Sequence, residues 1–110
     1  MILGLNHIAL SVPDIESALA FYCELLGFEK VAEMSWQRNS TMSARAEEIL
    51  AVKGTAARAV HLRGPGMLLE IFQFTEGGAS PKNPDKPVVD HGISHFCLAV
   101  DSVEQEYDRL

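Results

Sequence analysis

The sequence contains two copies of one short pattern. Residues 4–16 reappear as residues 92–104, in register at an offset of 88 positions, and Gly, His, Leu, Val and Glu are identical in the two copies. This repeat predicts a duplicated structural unit in which each copy carries one histidine, His7 or His95. Each histidine follows a glycine at the same spacing, so the repeat could bring two imidazoles to one shared centre.

Composition narrows the class of protein. Of the 110 residues, 47% are hydrophobic and 22% are charged, which is typical of a folded globular protein. The formal net charge of −6 argues against binding to nucleic-acid phosphates or anionic membranes and favours a small-molecule substrate. The N-terminus lacks a signal-peptide pattern, and no apolar run approaches the roughly 20 residues that span a bilayer. Cys23 and Cys97 form neither a CxxC motif nor a disulfide framework. We therefore expect a soluble, cytoplasmic protein.

The first part of the chain alternates between strand and helix signals. Residues 4–12 predict a strand, because apolar positions alternate with a set that contains His7. Residues 15–26 predict a helix, with Asp14 as its N-cap and Gly27 as its stop. Apolar residues recur at helical spacing between these two signals, so one face of the helix should pack on a core.

Three further strands are predicted in the first part of the chain. Phe28–Met34 predicts the second strand, and a short helix is expected within residues 40–54. Arg58–Arg63 and Met67–Phe74 are separated by Gly64-Pro65-Gly66, a turn-forming sequence. These two strands should therefore pair as an antiparallel hairpin.

The resulting fold class is α+β. We expect a first βαβββ module at residues 1–76, a linker at residues 77–90, and the start of a second, repeated module at residues 91–110 that is incomplete in this chain. Its predicted elements are a strand, Ile93–Val100, and a helix that begins near Ser102. About 20 residues are too few to bury a core alone. We therefore expect completion by another chain, as in a homodimer, or by a missing C-terminal segment.

Three residues are candidates for metal binding: His7, Glu70 and His95. Each lies in the middle of a predicted strand, and Glu70 stands among apolar neighbours, where an unpaired carboxylate is costly to bury. Neutral imidazole and carboxylate suit zinc, nickel, cobalt, manganese or iron(II). Histidines hydrogen-bonded within the fold remain the alternative. His61 and His91 are rival imidazoles that rank below the repeated pair.

A second group of residues has side chains suited to substrate contact. Arginine binds anionic groups in a fork, and aromatic side chains can line a pocket, although solvation or core packing explains them as well. The members of this group are Trp36, Arg38, Arg58, Phe72 and Phe74.

These residues resemble the vicinal oxygen chelate superfamily, which includes glyoxalase I, methylmalonyl-CoA epimerase, extradiol dioxygenases, fosfomycin-resistance enzymes and bleomycin-binding proteins. The resemblance covers nearly the whole chain. It lies in residues 5–12 (LNHIALSV), Phe21-Tyr22, residues 25–28 (LLGF), residues 68–71 (LLEI) and residues 92–96 (GISHF).

The resemblance implies paired βαβββ modules that form a U-shaped sheet around a divalent metal ion (Zn, Ni, Co, Mn, Mg or Fe(II)). It makes His7, Glu70 and His95 the first three ligands, with Glu70 also the catalytic candidate. The fourth ligand, usually a glutamate that also transfers a proton, would lie beyond Leu110.

The order His, Glu, His is similar to that of the glyoxalase-like branch, whereas extradiol dioxygenases present His, His, Glu. Methylmalonyl-CoA epimerases usually carry Gln in place of Glu70. The resemblance therefore implies a lyase or isomerase that stabilises an enediolate of a carbonyl or thioester substrate. Two alternatives stay open: an iron(II) extradiol-type dioxygenase, and a non-catalytic ligand-binding module similar to bleomycin-resistance proteins.

Overall fold

A four-stranded mixed sheet organises the first part of the chain in this computed structural model, which describes residues 1–81, 83 and 85–110. The strands are β1 (Ile8–Ser11), β2 (Glu29–Trp36), β3 (Ala56–Gly64) and β4 (Met67–Glu76). Their order across the sheet is β1-β4-β3-β2, with β1 parallel to β4 and the other two pairs antiparallel. The sheet confirms the α+β class and the predicted β3–β4 hairpin.

The helices begin at the predicted caps. Helix α1 (Ile15–Leu19) starts after Asp14, whose carboxylate accepts a backbone N–H, and continues as a π-helical turn, Ala20–Leu25. Gly27 then ends the element with a positive φ of 75°. Periodicity gives the correct extent but does not separate α from π geometry over a single turn. Helix α2 (Thr41–Leu50) is the short helix expected within residues 40–54.

Two groups of buried side chains lie on opposite faces of the sheet, because side chains alternate along each strand. One face packs against α1 and the other against α2. The α1 group contains Ile15, Phe28, Val60, Leu62, Leu69 and Ile71. The α2 group contains Trp36, Ala46, Ala57, Ala59 and Phe72. Burial of apolar area on both faces fixes the register of the hairpin, since a slip of one residue would exchange the two sets.

The chain divides into two units, Met1–Ser80 and Pro81–Leu110. The second unit contains helix α3 (Val103–Arg109), which begins as predicted after Ser102. The predicted strand Ile93–Val100 is wrong as a strand in this structure: none of these residues pairs with a described strand. A strand forms only where its backbone hydrogen-bonds to a neighbour. Positions 82 and 84 of the predicted linker lie outside the described residues.

Candidate metal centre

Glu70 lies in the middle of the sheet, on the face that α1 does not cover. Strand β4 is paired on both sides, and the register sets Glu70 between Ala9 of β1 and His61 of β3. Its side chain is 13% exposed. A carboxylate at such a position requires partners that favour its charge.

His7 provides the first partner. It directly precedes β1, and its Nε2 lies 3.3 Å from Oε2 of Glu70. Its other ring nitrogen, Nδ1, lies 2.8 Å from Oδ1 of Asn6, a contact that fixes the ring orientation. The ring is 40% exposed, so a ligand or ion can approach it from solvent. The structure therefore brings together two of the three predicted metal ligands.

His61 provides the second partner, a contact that the sequence analysis does not predict. Its Nε2 lies 3.2 Å from Oε1 of Glu70, and its ring stands at 82° to that of His7 with the ring centroids 6.3 Å apart. The turn between β3 and β4 contains the sequence information that predicts this contact. Counting outward from Pro65-Gly66 in both directions sets His61 directly opposite Glu70.

The donor atoms of His7 and Glu70 fit a divalent metal ion. Two ligand atoms that bind one ion at about 2.1 Å lie about 3 Å apart, close to the separation between His7 Nε2 and Glu70 Oε2. Among the described residues, no group of three or more His, Cys, Asp or Glu side chains could hold a metal ion. Within the first unit, the fit is therefore to two ligands of a larger set.

His95, the third predicted ligand, belongs to the second unit. It is exposed, and its Nδ1 lies 2.8 Å from Oγ of Ser94. His7 has the equivalent contact with Asn6, so the two repeat copies share a polar residue that holds the imidazole from the preceding position. A role for His95 at the metal stays a prediction.

The aromatic candidates form one cluster on the same sheet face as Glu70. Trp36 is buried, and its Nε1 donates to Oγ1 of Thr55 at 3.1 Å. Phe72 and Phe74 stack with centroids 5.5 Å apart, and Trp36 makes a T-shaped contact with each ring at 6.2 Å. Phe72 and Trp36 both pack as part of the α2 core, and Phe72 is two residues from Glu70 on β4.

The two arginine candidates do not join this group. Arg58 lies on the α1 face of the sheet, where its guanidinium bonds the carboxylates of Glu16 and Glu33. Arg38 is more than half exposed and lies 3.8 Å from Glu76. Through these contacts, Arg58 forms a bridge between α1 and β2.

The Arg58 bridge makes a testable electrostatic prediction. Hydrogen bonds from Arg58 and then Lys30 lower the pKa of Glu33 from 4.5 to about 2. Because the pKa of Glu33 is lower in the folded state, its contribution to the stability of the fold is complete above pH 4.5. This contribution is lost as the pH falls from 4.5 to about 2. In an NMR titration, we expect Arg58→Met to return the pKa of Glu33 towards 4.5.

Arg63→Met is the matched control, because Arg63 lies on the same strand but contacts Glu29. It should leave the pKa of Glu33 unchanged. An unaltered Glu33 titration in Arg58→Met would refute the bridge.

The family profile described as "Glyoxalase/Bleomycin resistance protein/Dioxygenase superfamily" matches residues 4–110. The chain belongs to this superfamily, which confirms the resemblance drawn from its repeats and motifs. It is 32% identical over 110 residues to a protein named ethylmalonyl-CoA/methylmalonyl-CoA epimerase from Cereibacter sphaeroides, and the match covers 100% of this chain and 70% of that protein.

Solved structures share the fold. A glyoxalase family protein from Bacillus cereus superposes with a TM-score of 0.83 at 14% identity, over 100% of this chain and 71% of that one. The protein SMU.1112c superposes with a TM-score of 0.67 at 23% identity, over 99% of this chain and 73% of that one. Within the described part of the chain, every helix is too short or too polar to span a bilayer.

Proposed function

We propose that this protein is a metal-dependent isomerase that moves a proton at the carbon beside a carbonyl group. The observation that carries the proposal is the carboxylate of Glu70, held 3.3 Å from Nε2 of His7 in the middle of the sheet, on the face opposite α1. Membership of the superfamily supports a metal at this position, and the epimerase relative supports an isomerisation.

In the proposed site, His7 and Glu70 would hold a divalent ion. The ion, when bound, would act as a Lewis acid that polarises the oxygens of a carbonyl substrate. Other parts of the chain orient the two ligand residues. Asn6 fixes the ring of His7, and the pairing of β4 on both sides fixes the backbone of Glu70.

We propose a thioester as the substrate class. The order His, Glu, His favoured the glyoxalase-like branch in the sequence, and a Glu at position 70 differs from the usual Gln of the epimerases. The 32% identity to a CoA-thioester epimerase is the broader support, because it extends over the whole chain rather than one residue. Epimerisation and glyoxalase chemistry both need a proton to leave a carbon next to a carbonyl group.

Proton exchange distinguishes these activities from the alternatives. The metal-loaded, full-length protein is incubated in D₂O with a CoA thioester of a 2-alkyl-substituted acid, or with a glutathione hemithioacetal, and NMR follows deuterium at the α-carbon. We expect metal-dependent exchange with the thioester. Absence of exchange with both substrates, together with oxygen uptake on a catechol after anaerobic iron loading, would replace the isomerase with a dioxygenase.

A further inference from the structure

One histidine outside the predicted ligand set contacts the carboxylate. His61 Nε2 lies 3.2 Å from Oε1 of Glu70, while His7 lies against the other oxygen, Oε2. We propose that His61 is a positioning residue that holds the Glu70 carboxylate in the orientation the metal requires. The proposal rests on the proposed function, since it concerns the same site.

The surroundings of His61 fix which of its nitrogens carries hydrogen. An ionised carboxylate only accepts hydrogen bonds, so the Nε2 that contacts it must be the donor. Nδ1 is buried, and within the described residues it has no hydrogen-bond partner. A hydrogen on Nδ1 would be a buried donor without an acceptor, which is costly. Hydrogen on Nε2 rather than on Nδ1 therefore satisfies the geometry.

The residues paired directly with Glu70 and His61 in the described strands offer no alternative to His61. The register forms a row across the sheet in which Glu70 stands between Ala9 and His61, and Ala32 follows His61 on β2. The two alanines offer no polar atom in their side chains. His61 is thus the one polar neighbour of Glu70 in this described row.

His61 and His7 contact different oxygens of Glu70, and this arrangement has a consequence for metal binding. With Oε1 accepting from His61, the carboxylate cannot rotate freely, and Oε2 stays directed towards Nε2 of His7. Glu70 can then bind an ion through one oxygen without first losing rotational freedom. Partners of this kind change metal affinity by about 10- to 100-fold when they are removed.

The test measures Co²⁺ and Zn²⁺ affinity of the full-length protein by calorimetry after removal of bound metal. We expect His61→Leu to weaken affinity by about 10- to 100-fold. His61→Gln, whose amide N–H₂ can donate to Oε1, should restore affinity to within about threefold of the parent, since the hydrogen bond is what the ligand requires. His91→Gln is the control, because His91 is exposed and its backbone carbonyl accepts a hydrogen bond from Lys86.

A second readout is independent of the metal. Nitrogen-15 shifts of His61 in the metal-free protein report which ring nitrogen holds hydrogen, and we expect Nε2. Wild-type affinity in His61→Leu would overturn the positioning role. If His61→Leu and His61→Gln lose metal affinity equally, and as much as His7→Ala does, His61 is a ligand instead. Failure of the parent protein to bind metal would overturn the proposed function itself.

Discussion

Replacement of His7 by alanine is expected to abolish stoichiometric metal binding and to lower kcat/KM by at least about 10³-fold, which corresponds to about 4 kcal/mol. His7 contributes the donor atom closest to the free oxygen of Glu70, and without it the first unit retains one ligand. The effect on folding should be small, because the ring is 40% exposed and precedes the first strand. Metal analysis, steady-state kinetics and thermal unfolding of one preparation measure all three quantities.

His91→Ala is the matched control for this variant. It removes an imidazole ring from an exposed position in the second unit. Metal content and activity should equal those of the parent protein. If His7→Ala keeps one metal ion per chain and the parental rate, His7 is a structural histidine and the proposed site fails.

Two substitutions of Glu70 separate its possible roles. Glu70→Leu removes every oxygen and should eliminate metal binding and activity, with a loss in kcat/KM of at least about 10³-fold. We expect the free energy of unfolding of the metal-free variant to fall by about 1 to 3 kcal/mol, because Nε2 of His61 loses its acceptor when the carboxylate is removed.

Glu70→Gln keeps one oxygen that can bind the ion. If Glu70 acts as a ligand, as its two imidazole contacts suggest, kcat at saturating metal should fall by less than about tenfold while the metal affinity weakens. General acid–base catalysis contributes about 10²- to 10⁴-fold. A fall of that size in kcat at saturating metal would contradict the ligand-only role and would assign proton transfer to Glu70.

The sequence predicted much of the fold because local signals and burial agree. Asp14 and Gly27 bracket the first helix, and the Gly64-Pro65-Gly66 turn produces the expected hairpin. Phe28–Met34 was predicted to within two residues of β2 (Glu29–Trp36). In each of these elements, one short stretch of chain contains the information that decides its structure.

The remainder depends on partners that a linear pattern does not specify. The contacts of Arg58 follow from its position on β3, because the alternation of side chains directs it to the α1 face. Its charge alone does not predict this position. Ile93–Val100 has the pattern of a strand but lacks a paired neighbour among the described strands. His61 was ranked low because its relation to Glu70 appears only once the hairpin register is counted residue by residue.

The most direct test of the account is the position of the metal itself. Crystals of the full-length protein loaded with Co²⁺ are measured at wavelengths on either side of the cobalt absorption edge, and the anomalous difference map is calculated. We expect one peak at about 2.1 Å from both Nε2 of His7 and one oxygen of Glu70. A peak bound by other residues, or no peak in protein that turns over its substrate, would contradict it.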